Sequence, residues 1–112
     1  MNFLTHIAFF VVAPRITVFQ VPALAKMSQN ATLSCRSKGI PQPRLSWLKN
    51  GLPISTQSSS SVTPGVITLV NLQRDDSGTY ICLAVNVAGQ MSAEGNLTVQ
   101  GSNNVANRNI IC

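Results

Sequence analysis

Two cysteines and a tryptophan at wide spacing place the strongest limit on how this chain folds. Cys35 and Cys82 each lie in a segment where apolar residues recur at every second position, the period of a β-strand. Trp47 lies in a third such segment, twelve residues after Cys35. Two sheets packed about 10 Å apart allow a disulfide between inward-facing cysteines in the middle of the core. We therefore predict a bridge between Cys35 and Cys82, with the indole of Trp47 packed over the sulfurs.

The remaining cysteine and the single histidine offer little for catalysis or metal binding. Cys112 is an odd third cysteine, which fits equally a link between two chains and a chain cut from a longer protein. No two cysteines are spaced as Cys-x-x-Cys, the arrangement typical of zinc sites and dithiol redox centres. A nucleophilic site would have to recruit His6 from near the amino terminus. We predict a protein that is not an enzyme, with no metal, no cofactor and no small-molecule substrate.

Length, composition and charge indicate one domain with a mildly basic surface. The chain has 112 residues, which suits a single domain, and its hydrophobic fraction of 45% excludes wholesale disorder. Its net charge is +5, but the basic residues are scattered and no aromatic residues interleave with them. This scatter argues against nucleic-acid binding. Only 10% of residues are charged, so uncharged polar residues must cover much of the exterior, as in a secreted β protein.

Apolar alternation and turn signals predict an all-β chain. The predicted strand segments are 14–20, 31–38, 44–49, 66–72, 78–89 and 90–100, with 56–62 as a short edge strand or a loop. Stretches rich in glycine and proline separate them, and Asn50-Gly51 is typical of a hairpin turn. About seven strands at this spacing predict an antiparallel sandwich or barrel.

The stretch DDSGTYIC, residues 75–82, predicts a turn that leads directly into a strand. Tyr80 faces the same side as Cys82, and its hydroxyl can reach back to the backbone of the preceding turn as a tyrosine corner. Gly78 permits a close backbone approach because it has no Cβ. Asp76 can accept hydrogen bonds from N–H groups of the turn. These residues are therefore predicted to fix the strand, without chemical activity.

At these residues the chain resembles the immunoglobulin superfamily, and in particular its I-set branch. The matching segments are LSC (33–35), WLKNG (47–51), DSGTYICLAVNVAG (76–89), PRITVFQVP (14–22) and NLTV (96–99). The resemblance implies a two-sheet antiparallel sandwich with Greek-key connections over residues 14–100, and Leu69 joins its predicted core. The chain departs from the family pattern in lacking an acidic-glycine turn just before Lys26. It also carries Val85 where many relatives carry an acidic residue.

The two ends of the chain are predicted to lie outside this domain. Residues 1–13 include an apolar run of about a dozen residues, too short to span a bilayer. They fit either a signal peptide cut after Ala13 or a linker from an upstream domain. Residues 101–112 are rich in asparagine and lack periodicity, so we predict a flexible tail or linker.

The resemblance implies a binding module, and alternation suggests which surface binds. Alternation along the penultimate strand sends four apolar residues outward, namely Ile81, Leu83, Val85 and Val87, and Leu48 should point outward on the neighbouring strand. Four successive outward apolar positions on one strand would form a patch large enough to mark a contact site. We expect a module of cell adhesion or receptor recognition, extracellular or at the cell surface. Its expected partners are a protein ligand or a second copy, and neighbouring immunoglobulin-like domains.

Three further features bear on location and partners. Asn30 and Asn96 begin the triplets Asn-x-Thr, which accept N-linked glycan on the secretory route. Lys26, Arg36 and Lys38 are predicted to gather on the opposite sheet, where they could bind an acidic, sulfated polysaccharide of the matrix. The alternative is an intracellular structural module of muscle type, in which the cysteines would stay reduced.

Overall fold

A computed structural model describes residues 10–54 and 65–101 as eight β-strands and one short 3-10 helix. The strands are β1 (Val12–Gln20), β2 (Leu24–Lys26), β3 (Ala31–Ile40), β4 (Arg44–Lys49), β5 (Leu52–Pro53), β6 (Val66–Leu69), β7 (Gly78–Asn86) and β8 (Gly89–Gln100). The helix spans Arg74–Asp76. His6, Cys112, the predicted edge strand 56–62 and most of the predicted tail lie outside the described residues.

The strands form two open sheets, which decides between the predicted sandwich and barrel. One sheet has three strands in the order β1-β3-β6, and the other has five in the order β2-β8-β7-β4-β5. The all-β sandwich is therefore confirmed. One pairing in the five-stranded sheet is not antiparallel: β2 runs parallel to β8, with Leu24 opposite Thr98. The chain reaches this position by crossing from β1 to the other sheet before β3 begins.

The core lies between the sheets and follows the alternation of the sequence. In β3 and β7 every second residue is buried, and Leu33, Cys35, Cys82 and Ala84 are completely excluded from solvent. Leu69 is only partly buried and packs against the edge of this core. The alternation gives each strand one apolar face, and burying that face is the main stabilising contribution to such a domain.

Several strand boundaries differ from those predicted. β3 continues past the predicted end at Lys38 to Ile40, which lies opposite Val12 of β1 beyond a shift in the register. β6 ends at Leu69 instead of running to Leu72. Asn71 has a positive φ of 52° and turns the chain, so that Leu72 returns to the core with no solvent exposure.

Turn chemistry explains the ends of other strands. Asn50 and Gly51 have φ values of 51° and 86°, and Lys49 pairs with Leu52 across them. Positive φ at both central residues is the signature of a type I′ hairpin, as the Asn-Gly dipeptide predicted.

The first strand begins earlier than predicted. β1 begins at Val12, two residues before the predicted start of the domain, and includes Ala13.

Across 10–54 and 65–101, no helix is long and apolar enough to cross a bilayer.

Candidate functional site

A disulfide joins the two sheets at the centre of the sandwich. Cys35 on β3 and Cys82 on β7 are bonded, with their Cα atoms 6.4 Å apart and neither residue exposed. Trp47 lies directly opposite Cys82 in the β4–β7 pairing and is 5% exposed. Its ring stacks on that of Phe19, with centroids 5.7 Å apart. The bridge and the two rings together fix the distance between the sheets.

Gly65 holds this centre in place, and the sequence analysis did not single it out. Its carbonyl oxygen accepts the backbone N–H of Cys35 at 2.9 Å and the indole N–H of Trp47 at 3.1 Å. Gly65 has a φ of 84°, and a Cβ built on it would lie 2.2 Å from the carbonyl oxygen of Cys35. The TPG turn at residues 63–65 was the available signal, because a glycine after proline often supplies a positive φ.

The turn before β7 is fixed by Tyr80 and Asp76. The Tyr80 hydroxyl donates a hydrogen bond to the backbone carbonyl of Asp76, which is the geometry of a tyrosine corner. The Asp76 carboxylate in turn accepts the backbone N–H of Gln73 at 2.8 Å. Burial, with a smaller effect from the charge of Asp76, raises the pKa of Tyr80 from 10.0 to about 12. Tyr80 therefore stays neutral and keeps donating throughout the physiological pH range.

Gly78 allows the β4–β5 hairpin to approach this turn. A Cβ on Gly78 would lie 2.9 Å from the side-chain oxygen of Asn50, which accepts the backbone N–H of Thr79 at 3.0 Å. Arg74 does not pair with Asp76, because its guanidinium group lies beside Gly101. This turn is thus held by hydrogen bonds between side chains and backbone, as predicted from the residues.

Four of the five apolar residues predicted to face outward share the outer surface of the five-stranded sheet. Leu48 pairs with Ile81 between β4 and β7, and two further residues of β7, Leu83 and Val85, follow on the same face. Val85 is 38% exposed, while the other three are half-buried. We call this row the five-strand face: Leu48, Ile81, Leu83 and Val85.

Polar residues surround the five-strand face. On β8, Glu94 lies opposite Ile81, Ser92 opposite Leu83 and Gln90 opposite Val85. On β4, Ser46 lies opposite Leu83 and Arg44 opposite Val85. An apolar centre with a polar rim is the usual composition of a protein–protein contact surface.

Val87 does not belong to this face, so its predicted place on the strand is wrong. β7 ends at Asn86, and Val87 lies in the two-residue turn before Gly89, with 80% of its surface exposed. The side-chain amide of Asn86 donates to the carbonyl oxygens of Val12 and Pro41, at 2.8 and 2.9 Å. Val87 therefore lies at the end of the domain where β1 begins, next to the β3–β4 loop.

Both predicted glycan acceptors are exposed. Asn96 on β8 lies on the outer surface of the five-stranded sheet, where its side-chain oxygen accepts the Thr79 hydroxyl at 2.7 Å. Asn30 precedes β3, and its side-chain oxygen accepts the backbone N–H of Asn71 at 3.0 Å. In each case the amide nitrogen, the atom that glycosylation modifies, is not the atom engaged in the bond.

The predicted gathering of three basic residues is only partly correct. Arg36 and Lys38 are exposed on β3 of the three-stranded sheet, but Lys26 lies on β2, at the edge of the other sheet. The error arose because the sequence does not reveal that β2 leaves the sheet of β1 and pairs with β8. Arg15 on β1 takes the place of Lys26, since it lies directly opposite Lys38.

A metal site needs several ligating side chains close together. Within residues 10–54 and 65–101, no three His, Cys, Asp or Glu side chains gather as a metal site would require. The sequence-based expectation of a protein without catalytic activity stays a prediction.

The chain is similar in sequence and fold to known proteins. A family model described as "Immunoglobulin domain" matches residues 13–86. The chain therefore belongs to the immunoglobulin superfamily, as the cysteine, tryptophan and tyrosine pattern predicted. The finer assignment to the I-set branch stays a prediction.

Two curated relatives come from different kinds of protein. The muscle M-line assembly protein unc-89 of Caenorhabditis elegans is 39% identical over 80 residues, which covers 66% of this chain and 1% of that protein. Human vascular endothelial growth factor receptor 1 is 33% identical over 87 residues, covering 76% of this chain and 6% of the receptor. The chain thus spans only a small part of these relatives and corresponds to one module of a multidomain protein.

A solved structure shows the same fold in an assembled state. The titin M10–obscurin-like 1 Ig complex matches with a TM-score of 0.73 and 27% identity, over 81% of this chain and 97% of that one. In that complex one immunoglobulin domain is bound to another protein.

Proposed function

We propose that this chain is a non-catalytic recognition domain of a larger extracellular protein, and that it binds a second copy of itself through the five-strand face. The observation that carries the proposal is the unbroken apolar row Ile81, Leu83 and Val85 on the outer side of a sheet, flanked by Leu48. Outer positions of a solvated antiparallel sheet are ordinarily polar. A contiguous apolar row there favours a surface that another molecule covers.

The charges around the row favour a second copy as the occupant. Arg44 and Glu94 lie at diagonally opposite corners of the face, on either side of Leu83. Two such faces related by a twofold axis, with Leu83 near the axis, can place each Arg44 against the Glu94 of the other copy. A twofold interface must be self-complementary in this way, because the same patch serves both partners.

The sulfur chemistry supports an extracellular location. The Cys35–Cys82 bridge is buried at the centre of the core, and such bridges persist in oxidising compartments. The receptor relative and the exposed glycan acceptor Asn30 point the same way. A glycan at Asn96 would lie on the outer surface that carries the five-strand face, so the proposed contact requires Asn96 to be unmodified. The competing function is a structural module inside the cell, which the muscle relative favours. Mass spectrometry of the protein from its natural source, before and after reductant and glycosidase, separates the two. An intracellular module carries Cys35 and Cys82 as free thiols and has no glycan.

Sedimentation velocity over a concentration series tests the proposed contact. Leu83→Asp with Val85→Asp should keep the protein monomeric at concentrations where the unmodified chain associates, because each buried carboxylate costs more than the apolar contact it replaces. Ser34→Asp with Thr68→Asp is the matched control, since it adds two acids on the outer side of the other sheet. Two results would reject the proposal. One is that the unmodified chain associates and both double variants associate equally well. The other is that the unmodified chain stays monomeric up to millimolar concentration.

A further inference from the structure

The outer side of the three-stranded sheet carries three cations and no compensating acid. Arg15 on β1 and Lys38 on β3 are directly paired in the register, and Arg36 is two residues from Lys38 on the same side of β3. Paired positions bring Cβ atoms to about 5 Å, and next-but-one residues of a strand lie about 7 Å apart. We call this group the basic face: Arg15, Arg36 and Lys38.

The whole chain offers no side-chain carboxylate that could neutralise the basic face. Its three acidic residues are Asp75 and Asp76, in the 3-10 helix, and Glu94, on β8 of the other sheet. Strands β1, β3 and β6 contain none. Like charges directly opposite each other in a sheet are destabilising, so the Arg15–Lys38 pair works against folding unless an anion from outside bridges it.

We propose that the basic face binds a sulfated polysaccharide. Two valines lie on the same outer side, with Val18 opposite Arg36 and Val66 opposite Ser34. The other neighbouring positions include short polar residues, with Ser34 next along β3 and Thr32 opposite Thr68 of β6. Such groups can donate to and accept from sugar hydroxyls, while the cations pair with sulfate oxygens. The surface is therefore distinct in chemistry from the apolar five-strand face, and it lies on the other side of the sandwich.

The same composition argues against the other polyanions. Proteins that bind single-stranded nucleic acid combine a basic groove with exposed aromatic rings on which the bases stack. The aromatic ring of these three strands, Phe19, is stacked on Trp47 instead. Recognition of an anionic membrane takes clusters of about four to eight basic residues near the surface, more than the three found here. A polysaccharide needs neither feature.

Titration of the purified protein with a heparin octasaccharide at about 0.15 M salt tests this proposal. Arg36→Gln with Lys38→Gln should weaken binding by about tenfold or more, because two charge-assisted contacts are lost. Lys26→Gln with Arg74→Gln is the matched control. Both double variants lower the net charge from +5 by two, to +3. The control should change the affinity by less than about threefold, since only the long-range field is altered.

Four outcomes would overturn the proposal. The first two are that the unmodified protein fails to bind the octasaccharide, or that both double variants lose affinity for it equally. The other two are that the unmodified protein binds desulfated heparin as tightly as heparin, or that it binds single-stranded DNA or phosphatidylserine vesicles more tightly than heparin through the same residues. If the Arg36 and Lys38 variant fails to fold, acetylation of the lysines of the unmodified protein is measured instead. Bound heparin should protect Lys38 from acetylation and leave Lys26 reactive. Equal protection of the two lysines rejects the site. Leu83→Asp should bind heparin normally, so failure here leaves the proposed self-recognition standing.

Discussion

The indole N–H of Trp47 donates a 3.1 Å hydrogen bond to the carbonyl oxygen of Gly65. The same oxygen accepts the backbone N–H of Cys35, which belongs to the opposite sheet. One carbonyl group therefore connects the tryptophan of one sheet to the cysteine strand of the other. Because a Cβ at this position would collide with the carbonyl of Cys35, the core can form in this way only around glycine.

Gly65→Ala should destabilise the domain more than an equivalent change at another glycine. Gly51→Ala is the matched control, because the two residues have φ values of 84° and 86° but nothing lies within 4 Å of a Cβ at Gly51. Alanine in this backbone conformation costs about 1–2 kcal/mol at either site. The collision at Gly65 should add about 1–3 kcal/mol more. Urea unfolding followed by Trp47 fluorescence gives both values, and equal losses would mean that the close approach at Gly65 is not there.

Removing the disulfide should cost a large part of the stability of the domain. The bridge closes a loop with a sequence separation of 47 residues, and loss of such a cross-link costs about 2–5 kcal/mol. Cys35→Ala with Cys82→Ala should therefore lower the melting temperature in calorimetry. The unmodified protein under reductant should melt close to this variant. A melting temperature that neither change alters would contradict the bridge as a source of stability.

Stability should fall at alkaline pH as the tyrosine corner is lost. The pKa of Tyr80 is about 12 in the folded protein and near 10 when unfolded, so the unfolded state releases its proton first as pH rises. The stabilisation is therefore complete below pH 10 and is lost progressively between pH 10 and pH 12. Tyr80 is the single tyrosine of the chain, so ultraviolet absorbance of the phenolate measures its titration directly.

Tyr80→Phe provides the control for this titration. It removes the hydrogen bond to Asp76 and should cost about 1 kcal/mol at neutral pH. Its stability should then vary less between pH 10 and pH 12 than that of the unmodified chain. A folded-state absorbance midpoint near pH 10 would show instead that Tyr80 is solvated and makes no such bond.

Charge exchange should reveal which residues meet across the proposed twofold contact. Arg44→Glu alone, or Glu94→Arg alone, should weaken self-association, because like charges then face each other. The double exchange should restore much of it, since the opposite charges meet again. Sedimentation equilibrium measures the three dissociation constants. A double variant that associates no better than either single variant would exclude this arrangement of the two copies.

The sequence predicted the parts of the fold that depend on local alternation. Cys35, Trp47 and Cys82 lie in strands whose inward and outward faces could be assigned residue by residue, because side chains alternate along a strand. Asn50-Gly51 was likewise readable, since few dipeptides accept two positive φ values. These local rules were sufficient to place the core and the five-strand face.

Features set by contacts between distant parts of the chain could not be predicted in the same way. Lys26 was assigned to the wrong sheet because the parallel pairing of β2 with β8 has no local signature. Val87 was counted as a strand residue because alternation continues into the turn, whereas the amide contacts of Asn86 with Val12 and Pro41 mark where β7 ends. The carbonyl of Gly65 was missed because its two partners lie 18 and 30 residues away in sequence.

Nuclear magnetic resonance can show residue by residue whether the domain binds a second copy of itself through the five-strand face. Backbone amide shifts of the isotope-labelled chain would be recorded while its concentration is raised. Self-recognition through this face should give concentration-dependent shifts centred on Ile81, Leu83 and Val85, with Leu48 beside them. Shifts that centre on the three-stranded sheet, or amides that do not respond at any concentration, would contradict it.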